Sequence, residues 1–558
     1  MKEKIRLFAQ SFYARFKYNL LFAVLFAVLT LLPDRLFELI NPQLDYSFDP
    51  AFVFAVLVFG FVISLCGRVI ASVVLTAFAV MQYIQLNHIA YFGRPINPVD
   101  IPKIAYEFSD VWEAGLGAWR DVWFVGPTVL ISFGFLIYCI FKFRKVFGFS
   151  WFAVLVLVIA LGVKPERAFR KSLKHFLPAT SRYSIHNSLN TFSFFLVKGW
   201  NTKTVQDILP DKFYQPYGVE KIQNADTPDI VVLIMGESMS SAYMSLFGYD
   251  SQTTPFLDSL KKSPDFFYKV AVAGGVSTHT AIPVFFNILN EPGNLTQLRA
   301  ETTNLFNLAK QAGYKTYWLS AQDAKNTNDL GTGFIDELIT KEESPLTFAE
   351  EHEDYLVRLF EQLDLSEGKH FVVLHFRSLH DPYETNYEHH PEFDVFKDAE
   401  KHRNTRLKNT YRNAMLYTDD VIRRLFEEYS RKTENKKAVF ILTSDHGQLL
   451  GENGIYGHNT LDRKVAEVPF VLHTSVKTGK EELNKPFLSH YEAGIYLARL
   501  FGFKVINPNK EKDVFYIHGN NFYEETYYLG FKRDENGKGT ITFKGTLQEF
   551  VKKRKRKK

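Results

Sequence analysis

An acid and an imidazole stand side by side in Thr443-Ser444-Asp445-His446-Gly447, directly after the apolar run 438–442. Both side chains of such a pair at a strand end can reach one zinc ion, at oxygen and nitrogen distances of about 2.0–2.2 Å. Another apolar run, 230–235, closes on Glu237 in Met235-Gly236-Glu237-Ser238. A carboxylate behind a buried strand is costly unless something pairs with it, and a metal is a natural partner. Read alone, Glu237 equally suits the start of a helix. Two further imidazoles follow other apolar segments. They are His380, in Ser378-Leu379-His380-Asp381-Pro382-Tyr383, and His458, in Gly451-Glu452-Asn453-Gly454-Ile455-Tyr456-Gly457-His458. Singly each reads as a structural histidine; beside Asp445 and His446 they point to a second metal or a phosphate site.

A hydroxyl nucleophile would complete such a centre. The segment Gly274-Gly275-Val276-Ser277-Thr278-His279-Thr280-Ala281-Ile282-Pro283 is rich in small and hydroxylated residues. Small residues let backbone approach a substrate closely, and a hydroxyl bound to zinc ionises near neutral pH. Composition does not choose among Ser277, Thr278 and Thr280.

The elements that must position these residues follow from the pattern beyond residue 228. Short buried-strand runs at 230–235, 316–319, 371–376, 438–442 and 469–472 alternate with helical stretches, most clearly 407–429. Alternation of this kind predicts an α/β domain with a mostly parallel sheet and helices on both faces. Ligands bind beyond the carboxyl ends of such strands, which is where the residues above fall.

The first part of the chain has another character. Aromatic residues make up 16% of the 558, with 53 Phe, while charged residues still hold 23%. A membrane part joined to a soluble part accounts for both. About five spans are expected, near 19–40, 50–66, 69–92, 122–142 and 148–163. Lys2, Lys4, Arg6, Arg15 and Lys17 precede the first, Arg68 marks one turn, and Lys142, Arg144 and Lys145 mark another. Basic residues favour the cytoplasm, so five crossings put the C-terminal part outside. The stretch 92–121 reads as an amphipathic helix on the outer membrane face, and 164–227 as a bridge. The resulting division is 1–163 membrane, 164–227 bridging helices and 228–558 catalytic domain. The net charge of +5 does not suggest nucleic-acid binding. The run Lys552-Lys553-Arg554-Lys555-Arg556-Lys557-Lys558 reads as a solvated end or as a contact with anionic lipid headgroups. With only Cys66 and Cys139, both in apolar runs, the soluble part has no disulfide.

These residues, in this order, resemble the phosphoethanolamine transferases of the alkaline phosphatase and sulfatase superfamily. The most specific pieces are Gly236-Glu237-Ser238 with Phe247-Gly248-Tyr249 and Thr253-Thr254-Pro255, and the segment ending in Pro283. To these are added Tyr411-Arg412-Asn413 to Tyr417-Thr418-Asp419, and Ser444-Asp445-His446-Gly447 with Gly451-Glu452-Asn453-Gly454. The resemblance implies that Thr278 is the nucleophile and that Glu237, Thr278, Asp445 and His446 surround a catalytic zinc. It matches His380 and His458 to positions that bind a second zinc or the phosphate, and Lys325 loosely to a substrate-contacting lysine. It implies a bacterial inner-membrane enzyme with its catalytic domain in the periplasm. Phosphoethanolamine would pass from phosphatidylethanolamine to lipopolysaccharide or lipooligosaccharide through a phospho-threonine.

Two departures from the family's pattern carry information. Members that modify lipid A bracket the nucleophile with a disulfide, and those two places are here Gly274 and Val284. The expectation therefore moves toward a core sugar, such as a heptose or Kdo. The sulfatase motif, a Cys or Ser followed two residues on by Pro and then Arg, is not seen, which disfavours a hydrolytic sulfatase. Phosphoglycerol transfer from phosphatidylglycerol uses the same kind of site and is the nearest rival. A non-catalytic membrane scaffold predicts lost ligands, and every ligand position is filled.

Overall fold

The computed structural model describes residues 2–40, 44–98, 100–101, 104, 123–171, 173–199, 209–210, 212–397, 403–474, 476, 483–522, 526–534 and 539–557. The chain divides into two compact units, 1–202 with 451–456, and 203–450 with 457–558. The expected surface helix at 92–121 falls mostly outside the described residues.

The N-terminal part of the first unit is helical, and its residues 451–456 belong to a two-stranded hairpin, Leu449–Glu452 with Ile455–Gly457. Among the described residues, three of its helices are long and apolar enough to cross a membrane: the stretch Ala14–Leu39 of the first, then Arg68–Phe92 and Val125–Lys142. Pro50–Ser64 is apolar but shorter. The helix Trp151–Arg170 runs on past the expected span through Lys164, Glu166, Arg167 and Arg170. Phe22, Phe26, Leu75, Phe133 and Leu136 pack inward, while Leu21, Val73, Leu130 and Ile131 face out. Some polar groups inside the bundle are bonded: Asn19 donates to Ser64 Oγ at 2.8 Å, and Asp34 accepts from Gln82 and from Ser184, whereas both amide atoms of Gln85 are buried without a hydrogen bond among the described residues.

The second unit is built on an eight-stranded sheet. We number its strands β1 (Ile230–Gly236), β2 (Phe266–Val272), β3 (Tyr314–Ser320), β4 (Glu337–Ile339), β5 (Lys369–His375), β6 (Ala438–Ser444), β7 (Glu467–Thr474) and β8 (Leu488–Ser489). Their spatial order is β8-β2-β7-β6-β1-β5-β3-β4. All neighbours pair in parallel except β7, which runs against both β6 and β2. The sheet is thus mixed, with one reversed strand in an otherwise parallel set.

β1 lies in the middle and every residue of it is buried. Ile230, Val232 and Ile234 face one core, and Val231, Leu233 and Met235 the other. This is the period-two alternation of a strand covered on both faces. The first core is closed by the helix Arg403–Lys432 through Tyr411, Val421 and Leu425. The second is closed by Thr278–Phe286 and His490–Leu500. A three-stranded antiparallel sheet, Val514–His518, Tyr527–Arg533 and Gly539–Thr546, follows. Residues Lys552 to Lys557 of the basic run then form the end of a helix, Leu547–Lys557, rooted by Leu547, Phe550 and Val551.

Candidate active site

Four of the expected residues converge at the carboxyl edge of this sheet. β1 ends at Gly236, and Glu237 and Ser238 follow. Ser238 adopts a left-handed backbone (φ 54°) and donates its N–H to Asp445 Oδ1 at 3.1 Å. Strain of this kind persists where surrounding bonds over-determine it. β6, hydrogen-bonded beside β1, ends at Ser444 and delivers Asp445 and His446 to the same place. The Asp445 N–H is held by Gly236 O at 3.1 Å, so the two strand ends are tied together.

Thr278 is the first residue of the helix Thr278–Phe286. Its Oγ1 stands 2.8 Å from Asp445 Oδ2, 3.2 Å from Glu237 Oε2 and 3.4 Å from His446 Nε2. The other two hydroxyls of this segment are engaged elsewhere. Thr280 donates to Gly519 O at 2.8 Å, and Ser277 lies 3.2 Å from both Thr280 Oγ1 and Asn520 O. Both are fully buried. Gly275 permits the tight packing, since a Cβ there would sit 2.5 Å from Thr280 Oγ1 and 2.8 Å from Ala281 N.

The donor atoms of Glu237, Asp445 and His446 lie within 4.8 Å of one another, and all three residues are buried. His446 Nε2 is 3.2 Å from Asp445 Oδ2 and 3.8 Å from Glu237 Oε1. Burial and the neighbouring Asp445 hold the Glu237 carboxyl above its usual range. Burial pushes Asp445 up to about 6, against the lowering hydrogen bonds from Thr278 and from the His446 and Ser238 amides. Two carboxylates driven together out of water repel unless a cation joins them. A divalent ion among two carboxylates, an imidazole and a hydroxyl meets that need, and the oxygen and nitrogen donors suit zinc.

Two of the remaining expected residues, His458 and His380, lie beside this group. The His458 ring packs on His446 with centroids 4.2 Å apart, and its Nδ1 lies 3.2 Å from Gln448 Oε1. Gln448 donates in turn to Tyr383 OH at 2.6 Å. His380 lies near enough to act on Glu237 electrostatically, with its Nδ1 on Asp381 O at 2.7 Å. Lys325 sits on the turn Ala324–Thr327, which packs against the helix bearing Thr278, and its Nζ is 3.3 Å from Asp323 Oδ2.

Sequence reasoning passed over Gln322 and His375. Gln322 Nε2 lies 3.0 Å from Glu237 Oε2, 3.1 Å from His375 Nε2 and 2.6 Å from Phe376 O. Ser320 Oγ meets His375 Nδ1 at 2.9 Å, and burial lowers that imidazole to about 3. Both residues sit at the carboxyl ends of apolar runs, β3 and β5, so the rule that exposed Glu237 applies to them too.

Residues 229–502 match the Sulfatase family model. The chain therefore carries a sulfatase-family domain, and phosphoethanolamine transferases are its homologues. Phosphoethanolamine transferase EptC of Escherichia coli K12 is 29% identical over 283 residues, which are 46% of this chain and 47% of that protein. EptA of the same strain is 25% identical over 252 residues, 42% of this chain and 44% of its own. The chain thus spans about half the length of the curated relatives it matches. The integral membrane protein lipooligosaccharide phosphoethanolamine transferase A (EptA) from Neisseria meningitidis shares the fold. Its TM-score is 0.54 at 19% identity, over 86% of this chain and 95% of that one.

Proposed function

We propose that this chain transfers phosphoethanolamine from phosphatidylethanolamine to a lipopolysaccharide or lipooligosaccharide acceptor. The observation that carries the reading is the Thr278 hydroxyl, set 2.8 Å from Asp445 Oδ2 beside Glu237 and His446 at the edge of a sulfatase-family sheet. Homologues named phosphoethanolamine transferases supply the transferred group. In this reading Glu237, Asp445, His446 and Thr278 hold a zinc ion, which as a Lewis acid lowers the pKa of the threonine hydroxyl.

The protein groups then divide the work. The Thr278 proton leaves toward Asp445 Oδ2, and Oγ1 attacks the phosphorus of the donor. The bond from phosphorus to the glycerol oxygen breaks, diacylglycerol departs with a proton, and phosphoethanolamine remains esterified to Thr278. An acceptor hydroxyl attacks that phosphorus, loses its proton, and Thr278 Oγ1 leaves and is reprotonated. His380 and His458 stand at the rim as proton carriers and charge stabilisers. Position at a helix N-terminus favours the negative charge that builds on Oγ1. Gln448 and Tyr383 orient His458, and Lys325 takes the outer part of the substrate.

The organisation that goes with this activity is a membrane part (1–163) of five crossings, a bridge (164–227) and a transferase domain (228–558) in the periplasm. The bacterial inner membrane would then hold the active site beside a water-insoluble donor. With Gly274 and Val284 in place of a bracketing disulfide, a core sugar is the acceptor we favour over lipid A.

Intact mass of the zinc-loaded protein, after incubation with phosphatidylethanolamine, tests the proposal. A phosphoethanolamine adduct on the wild type and none on Thr278→Ala is expected. A phosphoglycerol adduct from phosphatidylglycerol would replace the donor, and no adduct from either lipid would overturn the covalent route.

A further inference from the structure

A second group of metal-type donors lies apart from Thr278. His352, Glu388 and His389 each present a ligand atom, and these atoms fall within 4.8 Å of one another. His389 Nε2 and Glu388 Oε1 are 3.6 Å apart, and the two imidazole rings face each other at 6.3 Å with 22° between their planes. Two imidazoles and one carboxylate, with a position open to water, is a donor set that zinc takes.

The backbone that carries these donors is fixed. His352 stands between the helices Pro345–Glu351 and Glu353–Gln362 with φ 50° and ψ −128°, a conformation side chains rarely adopt. Its neighbour Glu353 is fully buried and accepts the Arg377 N–H at 2.5 Å, which anchors that junction. On the other side the Glu388-His389 pair is flanked by Tyr387, buried, and His390. The latter meets Asp354 at 2.7 Å and stacks on Tyr417 at 5.1 Å. The side chains of Glu388 and His389 themselves are more than half exposed, so a dissolved ion reaches them.

We propose that His352, Glu388 and His389 form a second metal site, which takes a zinc-class divalent ion from solution and ties the 387–390 segment to the junction of the two helices. The donors are preorganised by groups that do not themselves bind the ion, which is what a supported site requires.

The test is equilibrium dialysis of the full chain, stripped with EDTA, against zinc chloride at pH 7.5, with protein-bound zinc counted by mass spectrometry. His352→Ala/His389→Ala is expected to bind one equivalent less than the wild type while the adduct on Thr278 still forms. Glu388→Gln should weaken the same equivalent by tenfold or more. His389→Ala alone, which alters an exposed side chain, separates loss of the ion from loss of fold, since its melting temperature in EDTA should equal that of the wild type. Equal zinc in wild type and both histidine variants across the titration overturns the proposal.

Discussion

The Gln322 amide bridges Glu237 to His375, with Nε2 at 3.0 Å from the carboxylate and 3.1 Å from the imidazole. Its Oε1 is held by Asn326 Nδ2 at 2.6 Å, so the orientation of Glu237 is set from outside the group that touches Thr278. Outer partners of metal-binding carboxylates are worth about 10–100-fold in affinity or activity. Gln322→Ala should lower kcat/KM for donor consumption within that range and weaken zinc retention in a chelator competition. Unchanged values for both would show that Glu237 needs no such support.

Thr278→Ser should keep a measurable adduct, because the oxygen stays at the same helix position, whereas Thr278→Ala should leave none. Zinc binding should survive in Thr278→Ala, since Glu237, Asp445 and His446 remain. A Thr278→Ala protein that still forms the adduct would place the nucleophile elsewhere, with Ser277 and Thr280 already committed to Asn520 and Gly519.

Gly274 and Val284 touch: a Cβ built on Gly274 would lie 2.5 Å from Val284 Cγ1 and 3.4 Å from Val284 Cβ. The second distance is close to the Cβ separation of about 3.5–4.5 Å seen in disulfides. Gly274→Ala alone should therefore destabilise by about 1–3 kcal/mol through overpacking, and Val284→Ala should relieve it. The double variant Gly274→Cys/Val284→Cys should oxidise to a disulfide and gain about 2–3 kcal/mol. Urea midpoints and a thiol count under non-reducing conditions read both effects.

His490 gives the second unit an acid limit. Its Nδ1 accepts the Gly274 N–H at 3.2 Å, its Nε2 faces Thr443 Oγ1 at 3.2 Å, and burial lowers the imidazole to about 3. Unfolded histidine titrates near 6.5. Between those values the unfolded chain binds the proton and the folded one does not. The stability His490 contributes is thus complete above pH 6.5 and is lost as pH falls toward 3, at up to about 1.4 kcal/mol per unit. His518, lowered by burial to about 4, acts in the same direction. Urea midpoints between pH 7 and 4.5 should fall in the wild type and fall less steeply in His490→Leu. That variant should also be weaker at pH 7, because the Gly274 N–H loses its acceptor.

Much of the site was legible because burial leaves a mark on sequence. The apolar runs that become β1 and β6 stop abruptly, and Glu237, Asp445 and His446, just past the two strand ends, are where side chains leave the sheet. Gln322 and His375 obey the same rule but are an amide and a strand-terminal imidazole. Neither looks like chemistry until the distance to Glu237 is known. The choice of Thr278 over Ser277 and Thr280 rested on resemblance alone, because it depends on carbonyls of residues 519 and 520. The run at 469–472 was readable as a strand, but its reversed direction was not, since run length carries no polarity. β2 was missed because Tyr268 and Lys269 interrupt its apolar character and most of its residues are only partly buried. The N-terminal helical part shows the opposite fault. Apolar length marks where a span could lie, whereas Trp151–Arg170 stays helical through four charged residues.

The anchoring of Ser277 and Thr280 to Asn520 and Gly519 sets a schedule as well as a shape. During synthesis the segment around Thr278 emerges more than two hundred residues before the carbonyls that hold it. Until those carbonyls arrive, Thr278 has its helix but not its fixed footing. A truncated chain ending before residue 519 would carry Glu237, Asp445 and His446 with the Thr278 segment unanchored.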